Sequence, residues 1–120
     1  MLLGNDLTSR LLERGLGASS LRQRVLAHNV ANAMTPGFKR SRVEFEEQLA
    51  AAMAEGKSPD AVAPKVEIET DTIGRADGNN VDIELEMTRI AENQLYYAAL
   101  TRQLSDQFSR LRMVIHDGRG

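Results

Sequence analysis

Residues 81–117 run without a single proline or glycine. Stepping from Ile83 by alternating intervals of four and three meets Ile83, Met87, Ile90, Gln94, Tyr97, Thr101, Leu104, Phe108, Leu111 and Ile115, and eight of these ten are apolar. That spacing gathers the side chains on one stripe of a helix, the pattern of a coiled-coil strand. Asn79, Asn80 and Asp82 offer N-cap oxygens, Glu84 and Glu86 suit the positive end of the helix dipole, and Gly118 offers a stop. At 1.5 Å per residue, residues 81–115 make a helix of about 50 Å. A compact globule built from 120 residues has a radius of gyration of about 14 Å and a diameter of about 35 Å. The helix is longer than the ball the chain could make.

The opposite end repeats the pattern more weakly. Leu7, Leu11, Arg14, Ala18, Leu21, Val25, His28 and Asn32 share the spacing, and five of the eight are apolar. Gly15 and Gly17 each cost about 1 kcal/mol in a helix interior, so this helix needs a partner. Pro36 ends it, because a residue before proline is pushed out of the α region. The expected fold is mainly α: two long terminal helices pairing as an antiparallel coiled coil, with a small irregular, β-containing middle segment. The units are a helix over 1–34, a turn, loop and short-strand region over 35–80, a helix over 81–117 and a tail over 118–120. Within the middle, residues 43–54 read as a helical piece and 56–64 as loop. In 65–71, Val66 and Ile68 alternate onto one face of a short strand. Thr35-Pro36-Gly37-Phe38 reads as a tight turn, with Gly37 taking positive φ.

The N-terminal stripe is too short and too polar to cover the C-terminal one, and the middle holds few large apolar residues. Surplus apolar surface of this kind marks a protein–protein contact. The leading expectation is therefore a rod-like module that completes its core with copies of itself or of relatives. The alternative is a monomeric coiled-coil module acting as a regulator or chaperone-binding element in the cytoplasm.

Little in the chain suggests chemistry. There is no cysteine, which removes thiolate metal sites, disulfides and cysteine nucleophiles. Fifteen basic residues against 17 acidic ones leave no electrostatic footprint for nucleic acid. His28 and His116 lie near the ends of different helices, Ser19-Ser20 has no base nearby in the sequence, and phosphate-cradling glycine loops are absent. Residues 77–82 fail as a calcium loop, because the sixth position is Asp82 where glycine is needed. Lys39-Arg40-Ser41-Arg42, followed by Glu44, Glu46 and Glu47, reads as a solvated, self-compensating face. The expectation is no active site, no metal, no cofactor, no small-molecule substrate and no nucleic acid. The first residues lack a basic segment followed by a long apolar one, so no cleaved secretory signal is expected.

One stretch is more specific. Asn29, Asn32, Thr35, Pro36, Gly37 and Phe38, followed by a basic residue, set two asparagines three apart on a helical face before a Thr-Pro-Gly turn and an aromatic anchor. The asparagines can satisfy carbonyls freed at a helix end or donate across an interface. This stretch closely resembles the N-terminal signature of the bacterial flagellar rod and hook proteins. The run Asp77-Gly78-Asn79-Asn80-Val81-Asp82-Ile83-Glu84, with Glu86, Met87, Asn93, Gln94 and Tyr97 beyond it, is similar to the tail of the short proximal rod members of that family. The resemblance implies a structural subunit of the basal-body rod, the shaft that carries torque from the membrane ring to the hook. It further implies export through the flagellar type III apparatus without a cleaved signal, and terminal helices that order on assembly. The implied partners are copies of itself, other rod proteins and the adaptor between the membrane ring or export gate and the rod base. The implied contacts are the signature turn and two helical rows: Leu7, Leu11, Leu21 and Val25 on one helix, and Ile83, Met87, Ile90, Tyr97, Leu104, Phe108, Leu111 and Ile115 on the other.

Overall fold

The computed structural model describes residues 2–119. Helix α1 spans Leu2–Ala31, strand β1 Ser41–Glu44, helix α2 Glu46–Ala54, a single 3-10 turn Pro59–Ala61, strand β2 Lys65–Ile68, and helix α3 Ile83–Arg119. The molecule measures 69 × 29 × 14 Å, with a radius of gyration of 18.5 Å. Two terminal helices around a small two-stranded element match the expected class.

Helices α1 and α3 lie antiparallel. Gly15 faces Leu100, Ser19 bonds Asn93 and Asn29 bonds Glu86, so partners on α3 fall in number as those on α1 rise. The spacing also explains one costly glycine. A Cβ on Gly15 would stand 3.3 Å from a Leu100 methyl, so the bare backbone lets the helices close here.

The two helices do not mate through their apolar rows. The positions of α3 that α1 covers include Glu86, Asn93 and Gln107, all buried, spaced by whole heptads, with Leu100 half-buried between them. Opposite them, α1 contributes Ser9, Gly15, Ser19, Leu26 and Asn29. The contact face is rotated by about one residue from the expected seam. Of that seam, Ile90, Leu104 and Leu111 lie at the border and are half-buried, whereas Ile83, Met87, Tyr97, Phe108 and Ile115 remain 45–53% exposed. Leu7, Leu11, Leu21 and Val25 on α1 are half-buried. The rotation has a physical cause: Asn93, Asn29 and Glu86 find full hydrogen-bond partners only in the interior, and buried polar groups that are bonded hold a register firmly.

The middle segment folds back on α1. Strands β1 and β2 pair antiparallel with Val43 opposite Val66 and Ser41 opposite Ile68. The stretch expected as one helix over 43–54 is therefore split. Val43 is committed to the ladder, and Phe45, with φ −156°, breaks the chain before α2 begins at Glu46. Phe45 is buried with Ala18, Ala52 and Val62, and Leu49 packs beside them. So few residues suffice because they cover a small-residue patch of α1 and not its leucines. Arg22 of α1 grips Glu46 at 2.7 and 2.9 Å and the Val43 carbonyl at 3.0 Å, and Arg14 donates to the Val62 carbonyl.

Both helix ends depart from expectation. Helix α1 stops at Ala31, ahead of Pro36, and the chain leaves through hydrogen-bonded turns over 32–37. Gly118 is helical and lacks the positive φ that a glycine stop requires. Asp82 is the N-cap of α3, its carboxylate accepting from the Leu85 amide at 3.2 Å.

Candidate functional site

Two features stand apart from ordinary packing: a polar clasp where four elements meet, and the open apolar row of α3.

The clasp is assembled from both sequence signatures. Asn79 is fully buried, and its side-chain amide donates to the carbonyls of Asn32 (2.9 Å), Ala33 (3.1 Å) and Thr35 (2.8 Å). These carbonyls lie in the turns that follow α1, so Asn79 fastens the exit from α1 from 44 to 47 residues away. Sequence reasoning placed Asn79 as an N-cap of α3. Its oxygen does accept from the Val81 amide at 2.8 Å, but its donors serve the other helix. Arg75 reinforces this hold by donating to the Ala33 carbonyl, and to that of Val81 at 2.7 Å. Asn80 closes the next layer: it accepts from the Arg40 amide at 2.7 Å and donates to the Glu69 carbonyl at 2.8 Å.

Glycines let these strands of chain touch. Gly37 has φ +75° and its amide donates to the Asp77 carbonyl at 2.8 Å. Gly78 has φ +85°, and a Cβ there would lie 3.5 Å from the Gly37 Cα. The Thr-Pro-Gly turn and the Asp-Gly-Asn-Asn turn are thus the two halves of one lock. His28 stands edge-on to Phe38, with ring centres 5.6 Å apart, and pins the outer side. Asn32 bonds the His28 carbonyl at 2.9 Å and accepts from the Thr35 hydroxyl at 3.2 Å.

Beneath the lock lies a charged core that sequence reasoning read as solvated surface. Arg40 is buried and donates to Glu86, itself fully buried, and to Glu69 at 2.6 Å. Arg89 adds a bond to Glu86 at 3.0 Å. Asn29 exchanges both bonds with the Ser41 backbone, at 2.8 and 2.9 Å, and donates to Glu86 at 3.3 Å. One carboxylate therefore ties α3 to α1 and β1 together. The available signal was that Glu86 is one of the residues shared with the family's tail; what hid its role was the distance in sequence to Arg40.

The open row is the second feature. Ile83, Met87, Tyr97, Phe108 and Ile115 line one side of α3 beside α1, with Leu95, Met113 and Val114 exposed elsewhere on the helix. The chain before β1 reaches α3 through Arg40 at Glu86, about 100° round the helix from Met87, and Met87 stays exposed. Such a length of exposed apolar side chains along one helix is the mark of an interaction surface.

Neither feature holds the parts of a reaction centre. The Ser19 hydroxyl donates to the Asn93 carbonyl oxygen at 3.0 Å, a structural bond. Among the described residues, no three His, Asp or Glu side chains are grouped to hold a metal ion. The arginines beside the groove between α1, α3 and the two strands each have a carboxylate: Arg22 has Glu46, Arg40 has Glu69 and Glu86, Arg42 has Glu44, Arg89 has Glu86. Hydrogen bonds from Arg22 and from Arg42 hold the Glu46 and Glu44 carboxyls below the usual carboxylate range. No helix among the described residues is long and apolar enough to cross a membrane.

Comparison with known proteins agrees with this picture. A family model described as flagella basal body rod protein matches residues 10–39, the stretch that carries Asn29, Asn32 and the Thr-Pro-Gly turn. The flagellar basal body rod protein FlgB of Borrelia hermsii is 32% identical over 92% of this chain and 96% of its own length. That of Bacillus subtilis (strain 168) is 30% identical over 93% and 95%, and that of Escherichia coli (strain K12) 29% identical over 94% and 96%. Likeness of this degree, running through both halves of the clasp and along both helices, means that the chain belongs to the FlgB family of flagellar basal-body rod proteins.

Proposed function

We propose that the chain is a structural subunit of the flagellar basal-body rod, polymerising through the open row of α3 and the clasp with neighbouring subunits. The observation that carries this reading is the mismatch on α3: the helix satisfies α1 with a largely polar face and leaves its apolar row outside. A monomeric coiled-coil module has no use for that row, and burying it contributes roughly 25 cal/mol per Å² removed from water. Heterologous contacts of one face against a different face generate an open helical filament, the geometry a shaft requires. The neighbours are copies of itself, other rod proteins and the adaptor at the rod base; the signature residues Asn32, Thr35, Pro36, Gly37 and Phe38 form the rim they meet, and Asn29, fully buried, holds that rim from within. The chain reaches the rod through the flagellar type III export apparatus.

Deletion of this protein from its own bacterium tests the reading. The expected result is loss of rods and of swimming, both restored by the intact chain supplied in trans. Normal flagella in the deletion strain would overturn it.

A further inference from the structure

The two ends of α3 carry opposite charge, and neither end spends it inside the chain. At the start, Asp82 and Glu84 are exposed and, among the described residues, form no ion pair. Asp82 also caps the helix, whereas the Glu84 carboxylate makes no bond among the described residues. Arg75, the base beside them, is held by the carbonyls of Ala33 and Val81. These acids edge a groove of about 500 Å³ whose apolar lining includes Ile73 and Ile83. Ile73 is 96% exposed, so it does no packing within the chain. Apolar side chains displayed in this way mark a contact with another molecule.

The far end of α3 is the complement. Residues 112–118 are exposed on every side of the helix, as a projecting stub. Met113, Val114 and Ile115 stand in the open there. Arg110 and Arg112 are exposed beside them without an ion pair, and Asp117 is the one acid over 110–118. Arg110 shares a face with Met113 and Val114, and Arg112 shares one with Ile115. Either face therefore offers a base next to an apolar side chain, as a groove with acids at its edge requires.

We infer that in the rod this groove receives the last turns of the C-terminal helix of a neighbouring rod subunit, apolar and basic as this chain's own last turns are. Asp82 and Glu84 meet the arginines, and Ile73 and Ile83 cover the apolar side chains between them. The docking rests on the rod reading and deepens it. It joins unlike surfaces, so each subunit keeps a groove for one neighbour and a stub for another, and growth does not close on itself. It also requires no helix formed in advance. The last four carbonyls of a helix lack partners and its end frays alone, so the stub orders as it meets the groove, during assembly.

Photocrosslinking in assembled rods tests this. Benzoylphenylalanine, a photoreactive residue, replaces Ile73 in one strain of the protein's own bacterium and Val114 in another. Leu95, 74% exposed midway along α3, is the control position. Basal bodies are isolated and irradiated, and the linked peptides are identified by mass spectrometry. The expected result is a link from position 73 to the end of a rod subunit's C-terminal helix. Position 114 links to the turn and helix start of a rod subunit, and position 95 links to neither. If the probe at 114 blocks assembly, Met113, 64% exposed, carries it instead. Glu84→Arg added to the position-73 strain sets like charges together and lowers the yield of that link about tenfold. A link from 73 to any other segment overturns the docking, as does no link there in assembled basal bodies. A yield unchanged by Glu84→Arg overturns it too. The rod reading fails by a different route: the deletion strain stays flagellated.

Discussion

Asn79 shows how much one side chain can carry. Its amide holds three carbonyls at the end of α1, and its oxygen starts α3. Asn79→Ala removes those hydrogen bonds and leaves the buried Val81 amide without its acceptor, so it should cost about 2–3 kcal/mol, read as a lower urea midpoint with an unchanged slope. Gly37 is as constrained, for a different reason. At φ +75° a β-branched side chain is strained, and the turn sits against Gly78. Gly37→Val should destabilise the fold by about 1–3 kcal/mol and abolish rod assembly, scored by swimming of the complemented strain; normal swimming would place the turn away from any essential contact. The strain at Gly37 was legible in the sequence, because a Pro-Gly pair demands it. The role of Asn79 was not: its residue type fits a local N-cap equally well, and only the fold brings the end of α1 within reach.

Among the elements, the long helices were legible and their faces were not. Periodicity reports that apolar residues share a stripe; it does not say whether the stripe faces inward. On α3 hydrogen-bonding demand at Asn93 and Glu86 outweighs the stripe and rotates the helix. The β1–α2 junction was hidden for a related reason, since Val43 and Phe45 suit a helix by spacing while their burial against Val66 and Ala18 makes them a strand and a plug. Helix α2 is tied to α1 through Arg22 and Glu46. The Glu46 carboxyl has its pKa lowered in the folded protein, first by the hydrogen bond from Arg22. Its contribution is therefore complete above the unfolded value of about 4.3 and fades as pH falls through the folded one. Glu46→Gln should lower stability at pH 7 and make little difference near pH 3, measured by urea unfolding at the two pH values.

For the whole molecule the decisive quantity is apolar surface left outside. Phe108, 47% exposed, belongs to the open row, whereas Leu104 is half-buried at its border. Phe108→Asp should leave the monomer's helicity and urea midpoint nearly unchanged while lowering association at least tenfold, because an unpaired charge then has to enter an apolar contact. Leu104→Asp should lower both. Equal association of wild type and Phe108→Asp by sedimentation would remove the row from the assembly surface.

The polar bonding between α1 and α3 has a mechanical consequence. Leucine rows can slip past one another by a turn and mesh again, since any oily neighbour will do. Here a slip of about 5.4 Å would part Ser19 from Asn93 and Asn29 from Glu86, stranding each in the dry interior at about 1–3 kcal/mol apiece. The helices are keyed to one axial position, so a load applied to one end reaches the other without creep between them.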